Sequence, residues 1–142
     1  MADIRTCPSD AEAPLERQIA ACYGFNEARL ERLHVPVNDV VAVSTPQGQF
    51  ALKLYNTLTR TAADVQWEVD LVRHLRQHGA PVVAPIAGRD GDVATFWFDG
   101  EARVGVLFSW APGDRPTASR STYRLLGQAA ASIHAAADTF AS

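Results

Sequence analysis

Val40-Val41-Ala42-Val43-Ser44-Thr45-Pro46-Gln47-Gly48-Gln49-Phe50-Ala51-Leu52-Lys53-Leu54-Tyr55 is the stretch from which the fold can be read. Its two ends are rich in β-branched and aromatic residues, and Thr45-Pro46-Gln47-Gly48 between them has the composition of a tight turn. Two antiparallel strands follow. If no bulge intervenes, the turn sets Ala42 opposite Ala51 and Val40 opposite Lys53. Along the second strand, Phe50, Leu52 and Leu54 point one way, while Ala51, Lys53 and Tyr55 point the other.

Working outward, Leu30-Glu31-Arg32-Leu33-His34-Val35 reads as a further strand that completes a three-stranded meander. Before it, Pro14 opens a helical pattern through Leu15, Ile19 and Cys22 or Tyr23, which Gly24 can end. Residues 1–12 are a polar tail. Downstream, a helix spans about Thr61 to His78: Thr61 as N-cap and Asp64 three residues on form an acidic capping box, and Gly79 and Pro81 stop the helix. The next strands are Val93–Phe98 and Arg103–Trp110, joined by the Asp99-Gly100 turn. After a break at Pro112-Gly113, a helix from about Thr122 to Phe140 carries Leu126, Ala130, Ile133, Ala137 and Phe140 on one stripe. The expected class is α+β, a five-stranded antiparallel sheet with one crossing helix; a single helix between strands excludes a parallel doubly wound sheet.

The composition agrees with one folded domain. The chain has 142 residues, of which 47% are hydrophobic and 20% charged. No run approaches the ~18 apolar residues that span a bilayer. The net charge of −3 argues against general nucleic-acid binding, which calls for a basic stripe. The first residues, MADIRTCPSD, lack an apolar signal core, so no membrane role and a cytoplasmic location are expected. Cys7 and Cys22 have no CxxC partner and read as reduced and inert.

Two charged residues stand where charge needs a reason. Lys53 is mid-strand among apolar neighbours, where an unpaired ammonium is costly. Glu68 lies within the helical stripe of Val65, Leu71 or Val72, and Leu75, whereas Asp70, Arg73 and Gln77 occupy the solvated face. Either the two pair and resolve each other's desolvation, or Glu68 sits at the stripe's edge and Lys53 snorkels to water.

The order of these pieces resembles a known arrangement. A lysine in an Ala-x-Lys strand, followed fifteen residues on by a helical glutamate, is similar to the phosphate-binding pair of kinases. More specifically, Asn38-Asp39-Val40-Val41-Ala42-Val43, Phe50–Tyr55, Trp67-Glu68 with Leu75, and Pro81-Val82-Val83-Ala84-Pro85 resemble the phosphotransferases that include aminoglycoside, choline and homoserine kinases. Val106-Leu107-Phe108-Ser109-Trp110-Ala111-Pro112-Gly113 is similar to their inter-lobe hinge. Leu126-Gly127-Gln128 through Ile133-His134-Ala135 resembles the long helix before their catalytic loop. On that resemblance, residues 1–27 are a tail and helix, 28–111 an ATP-binding, kinase-like small lobe with its hinge, and 112–142 the start of a large lobe.

The resemblance implies site roles. Lys53 would hold the ATP phosphates, and Glu68 would orient it. The Ser109 carbonyl and the Ala111 amide would grip adenine, with Ala42 and Ala51 as the roof of a shallow pocket and Phe108 behind it. Asn38 and Asp39, at the tip of the first hairpin, would lie over the phosphates, although the chain lacks a Gly-rich GxGxxG loop there.

The resemblance also exposes what the chain does not contain. No His-x-Asp with a downstream Asn occurs, and no Asp-Phe-Gly; Phe98-Asp99-Gly100 has those residues in the wrong order, within an ordinary Asp-Gly turn, and Arg89-Asp90-Gly91-Asp92 reads as a loop. A base for the acceptor hydroxyl and an aspartate for Mg2+ are therefore absent, and the chain reads as a truncated, catalytically silent lobe. Its partners would be a nucleotide and, through the absent lobe, a small hydroxyl-bearing acceptor. An apolar patch around Leu126, Ile133 and Phe140 would favour self-association. The other reading is a non-catalytic interaction module derived from a kinase.

Remaining candidates carry less. His74 and His78 are spaced as one edge of a metal site but lack a third ligand, and a helix C-terminus already favours them. His134 reads as a packed neutral histidine. Ser9, Ser44 and the Thr117–Thr122 cluster read as turn and cap residues, and Trp67, Trp97 and Trp110 as packing residues.

Overall fold

The computed structural model describes residues 13–33 and 35–141; the polar tail with Cys7 and Ser9, together with His34 and Ser142, lies outside the described residues. The elements run α1 (Leu15–Tyr23), β1 (Arg29–Leu33), β2 (Asp39–Thr45), β3 (Gly48–Leu54), α2 (Ala62–Gln77), β4 (Pro85–Ile86), β5 (Ala94–Phe98), β6 (Glu101–Ser109) and α3 (Arg120–Ala137). Every strand pair is antiparallel, in the order β1-β2-β3-β6-β4, and β5 pairs with β6 on the side away from β3. The α+β class is as the sequence implies. The sheet gains a sixth strand, β4, whose two residues form rungs only at Leu107 and Phe108 of β6.

Local chemistry accounts for the boundaries. Gly24 takes a left-handed φ of 72° and closes α1. Thr61 and Asp64 exchange both bonds of a capping box at the start of α2. Asp99 and Gly100, at φ 51° and 81°, make a two-residue hairpin turn with the handedness that a twisted ribbon requires. Between β2 and β3 the register sets Val40 against Lys53 and Ala42 against Ala51, with no bulge.

Because β3 alternates, it feeds two cores. On one face Leu52 and Leu54 join Val41, Val43, Phe96 and Leu107, and Ile19 and Cys22 of α1 close that layer. On the other, Tyr55, Val106 and Phe108 meet Val65 and Val69 of α2. The sheet is thus covered on both sides. α1, which the sequence sets apart with the tail, belongs to the main core. Its Cys22 is disulfide-bonded and buried, which corrects the reduced-thiol reading.

Two details fix how closely the layers approach. A Cβ on Gly105 would lie 2.8 Å from the Phe96 ring and 3.0 Å from a Leu54 methyl, so β6 carries no side chain where those two meet. Gln18, fully buried in α1, accepts from the Trp97 amide at 2.8 Å and donates to the Trp97 carbonyl at 3.0 Å.

Only the end of α3 meets the body. Ile133, Ala136 and Ala137 pack on Leu75 and Ala80, and Phe140 sets its ring edge-on to Trp67 at 5.7 Å. The first half projects, leaving Tyr123, Leu125 and Leu126 about two-thirds exposed, at 65%, 66% and 64%. The expected apolar patch therefore divides: Leu126 is bare while Ile133 and Phe140 are partly covered. His134 is exposed rather than packed, because it falls on the outer side of this helix.

Candidate functional site

The two charges singled out by their positions do meet. Lys53 Nζ lies 2.7 Å from Glu68 Oε1, with each side chain a little over a quarter exposed, at 29% and 26%. β3 and α2 bring them together, since Lys53 faces the α2 side of the sheet and Glu68 stands one residue before the buried Val69. A pair this shielded must be fully hydrogen-bonded to offset its desolvation. A third group completes it: the Tyr55 hydroxyl donates to the same Oε1 at 2.7 Å. Partial burial pushes the Glu68 carboxyl up, but the bonds from Lys53 and Tyr55 and the ammonium's charge outweigh it, so the group titrates below the usual carboxylate range. Burial and the adjacent carboxylate push the Tyr55 phenol far up, which keeps it a proton donor. Lys53 Nζ also lies 4.3 Å from the centre of the Tyr55 ring.

Lys53 and Glu68 border a cavity of about 400 Å³, a volume suited to a small organic ligand, and Tyr55 stands behind them. Val40, Ala51, Lys53, Glu68, Val72, Val83, Phe108, Ser109, Trp110 and Ala111 line it. The lining is mostly apolar, so a flat, mostly apolar ring system could lie along Val40 and Ala51 with an anionic tail toward Lys53. Also on the lining, the Ser109 side chain is already committed. Its amide donates to the Ala84 carbonyl at 2.8 Å, and its hydroxyl accepts from the Ala84 amide at 2.9 Å.

Of the residues named from the sequence, Lys53, Glu68, Ala51, Phe108, Ser109 and Ala111 lie together on the cavity. Ala42 is Ala51's cross-strand partner but is not among the lining residues. Asn38 lies in the turn before β2 and is likewise outside the lining. Asp39 departs from its expected place. It pairs with Leu54 in register and so faces the α1 side of the sheet, where its carboxylate joins Arg32 at 2.6 Å and Arg103 at 3.1 Å. Burial pushes that carboxyl up, but the two guanidiniums pull it below its ordinary value. Strand alternation alone, counted back from Lys53 through its partner Val40, excludes the Asp39 side chain from the cavity face.

Sequence reasoning missed Tyr55, Val40, Val72, Val83 and Trp110 as members of the site. Tyr55 shares Lys53's face two residues on, and that alternation was a usable signal for the hydroxyl. The sequence suggests packing for Trp110; at 37% exposed it instead lines the cavity. Helical periodicity puts Arg73 on a solvated face, yet it grips Asp92 through both terminal nitrogens, at 2.9 and 2.7 Å, and ties α2 to the loop before β5. His74 and His78 stack at 4.1 Å between ring centres, and His74 Nε2 is within hydrogen-bond reach of the Ala136 carbonyl and Thr139 Oγ1. No group of three or more metal-ligating side chains occurs among the described residues, and no described helix is long and apolar enough to cross a membrane.

Comparison with known proteins places this geometry in context. The chain superposes on amicoumacin kinase hAmiN in complex with AMP-PNP, Ca2+ and Ami with a TM-score of 0.73 and 23% identity, covering 89% of this chain and 40% of that one. It superposes equally well, TM-score 0.73 and 22% identity, on the microcompartment-associated aminopropanol kinase, covering 88% and 40% of the two chains. An uncharacterized protein of Deinococcus radiodurans is 30% identical over 131 residues, which is 92% of this chain and 38% of that protein. The homoserine kinase of Burkholderia mallei is 41% identical over 49 residues, 34% of this chain and 14% of the kinase. The chain therefore spans well under half the length of the relatives it matches. The profile of the phosphotransferase enzyme family, APH, matches residues 37–142, and the chain belongs to that family.

Proposed function

We propose that this chain is the nucleotide-binding lobe of an ATP-dependent phosphotransferase that acts on a hydroxyl of a small molecule. The observation that carries the reading is the Lys53–Glu68 pair at the end of an apolar cavity bordered by Ser109 and Ala111. Bound ATP supplies the transferable phosphoryl group. Lys53 holds its α/β-phosphates and Glu68 keeps the ammonium aimed at them. Val40 and Ala51 cover one side of the adenine, and Phe108 closes the back. The Ser109 carbonyl accepts from the exocyclic amine and the Ala111 amide donates to the ring, so the base is read by main chain.

On this reading, residues 112–142 begin a second lobe, which would supply the acceptor base and the Mg2+ ligands; the greater length of the similar proteins supports it. The names of the similar proteins, homoserine kinase and aminopropanol kinase, point the acceptor toward a small hydroxyl compound.

Calorimetry of ATP binding to the chain tests the proposal. Saturable binding is expected, with Lys53→Met weakening it by about tenfold or more, while the variant stays folded because Tyr55 still meets Glu68. Phosphoryl transfer by residues 1–142 should stay at background. Absence of ATP binding, or collapse of the variant, would remove the phosphate role from Lys53. The interaction-module reading draws on the bare Tyr123, Leu125 and Leu126, and would then be the better account.

A further inference from the structure

We infer that Tyr55 is a positioning residue for the Lys53–Glu68 pair, its hydroxyl pinning the Glu68 carboxylate in the orientation that presents Lys53 to a bound anion. Its effect on nucleotide rests on the function proposed above; its effect on Glu68 does not.

The inference begins with a shared atom. Lys53 Nζ and the Tyr55 hydroxyl both reach Glu68 Oε1 at 2.7 Å. The two donors differ in freedom. Lysine carries its charge on a flexible four-carbon stem, and a phosphate arriving in the cavity would compete for it. Tyr55 cannot follow. It is only 1% exposed and its ring is packed with Val65, Val69, Val106 and Phe108. Its amide donates to the Val104 carbonyl at 2.8 Å, and its carbonyl accepts from Arg103 Nε at 2.9 Å. Ring and main chain are thus fixed before the hydroxyl makes its bond, and the position of Oε1 is defined by a group that does not touch the ligand space. Tyr55 is absent from the residues lining the cavity.

The alternative is a plain packing residue whose hydroxyl happens to be satisfied. Packing would be served by phenylalanine, so Tyr55→Phe separates the two. The groups acting on the Glu68 carboxyl are Lys53, Tyr55 and, by charge alone, Arg60. Removing the hydroxyl therefore removes one of two direct donors. The experiment follows the Glu68 carboxyl by carbon NMR across a pH titration in the wild type and in Tyr55→Phe, then measures ATP and adenosine affinities of both. A positioning role predicts that the carboxyl titrates at higher pH in the variant. It also predicts that ATP binding weakens roughly 3- to 10-fold while adenosine binding is unchanged, because only the phosphates feel Lys53. In a Glu68→Gln background, Tyr55→Phe should add little. An unmoved Glu68 titration, or equal losses for ATP and adenosine, overturns the inference. If wild type binds no ATP, the proposed function fails and the Glu68 titration alone decides the role of Tyr55.

Discussion

Ser109 and Ala84 are joined in both directions, amide to carbonyl at 2.8 Å and amide to hydroxyl at 2.9 Å. This double link holds the end of β6 against the segment that follows α2, and so sets one wall of the cavity. Ser109→Ala leaves the Ala84 amide without its acceptor. A loss of about 1–2 kcal/mol in unfolding free energy is expected, measured by urea titration. If the main chain reads the base as proposed, base selectivity among nucleotides should not change, because the serine hydroxyl already has a partner.

The Arg73–Asp92 pair predicts an acid-sensitive attachment of α2. The bidentate bonds from Arg73, and its charge, hold the Asp92 carboxyl below its ordinary range in spite of burial. A depressed folded-state pKa contributes stability that is present above the unfolded value, near 3.9, and is lost as pH falls through the folded one. Arg73 is 40% exposed, so the gain is discounted to about 1 kcal/mol. Asp92→Asn should melt below wild type at pH 7, and the gap should narrow below about pH 4. A gap that persists unchanged in acid would place the effect elsewhere.

Gly105 predicts a packing limit. Any Cβ there meets the Phe96 ring and Leu54 closer than carbon atoms tolerate. Gly105→Ala should cost about 1–3 kcal/mol, and Phe96→Leu should recover part of that loss in the double variant. Additive losses in thermal melts would show that the ring is not what the new methyl strikes.

The bare half of α3 predicts association. Tyr123, Leu125 and Leu126 lie within one turn of each other and none is covered. Light scattering over a concentration series should show mass increasing with concentration, and Leu125→Lys with Leu126→Lys should suppress it. A chain that remains monomeric throughout would contradict the expectation.

The meander was legible because its signals are local. A Pro-Gln turn and strict alternation determine the Val40–Lys53 and Ala42–Ala51 partners without any long-range information. The same holds for the Thr61–Asp64 cap. What was not legible depends on contacts distant in sequence. β4 is two residues long and one is proline, too short for any periodicity. Arg73 appears solvated on a helical wheel, and only the path of the 87–92 loop brings Asp92 to it. The likeness to a hairpin tip puts Asp39 over the phosphates, whereas parity with Val40 sets its side chain on the other face. Tyr55 looks like a plain strand residue in the sequence, because the acceptor of its hydroxyl stands 13 positions away.

Gln18 gives the sheet something its strand count conceals. Among the described residues β5 has β6 as its only strand neighbour, and a bare border offers amide and carbonyl groups to any passing chain. Here the Gln18 carboxamide bonds the Trp97 amide and carbonyl at 2.8 and 3.0 Å, the two contacts a further strand would make. One helical side chain acts as a counterfeit strand, and at Trp97 it closes that border against templated growth into aggregates.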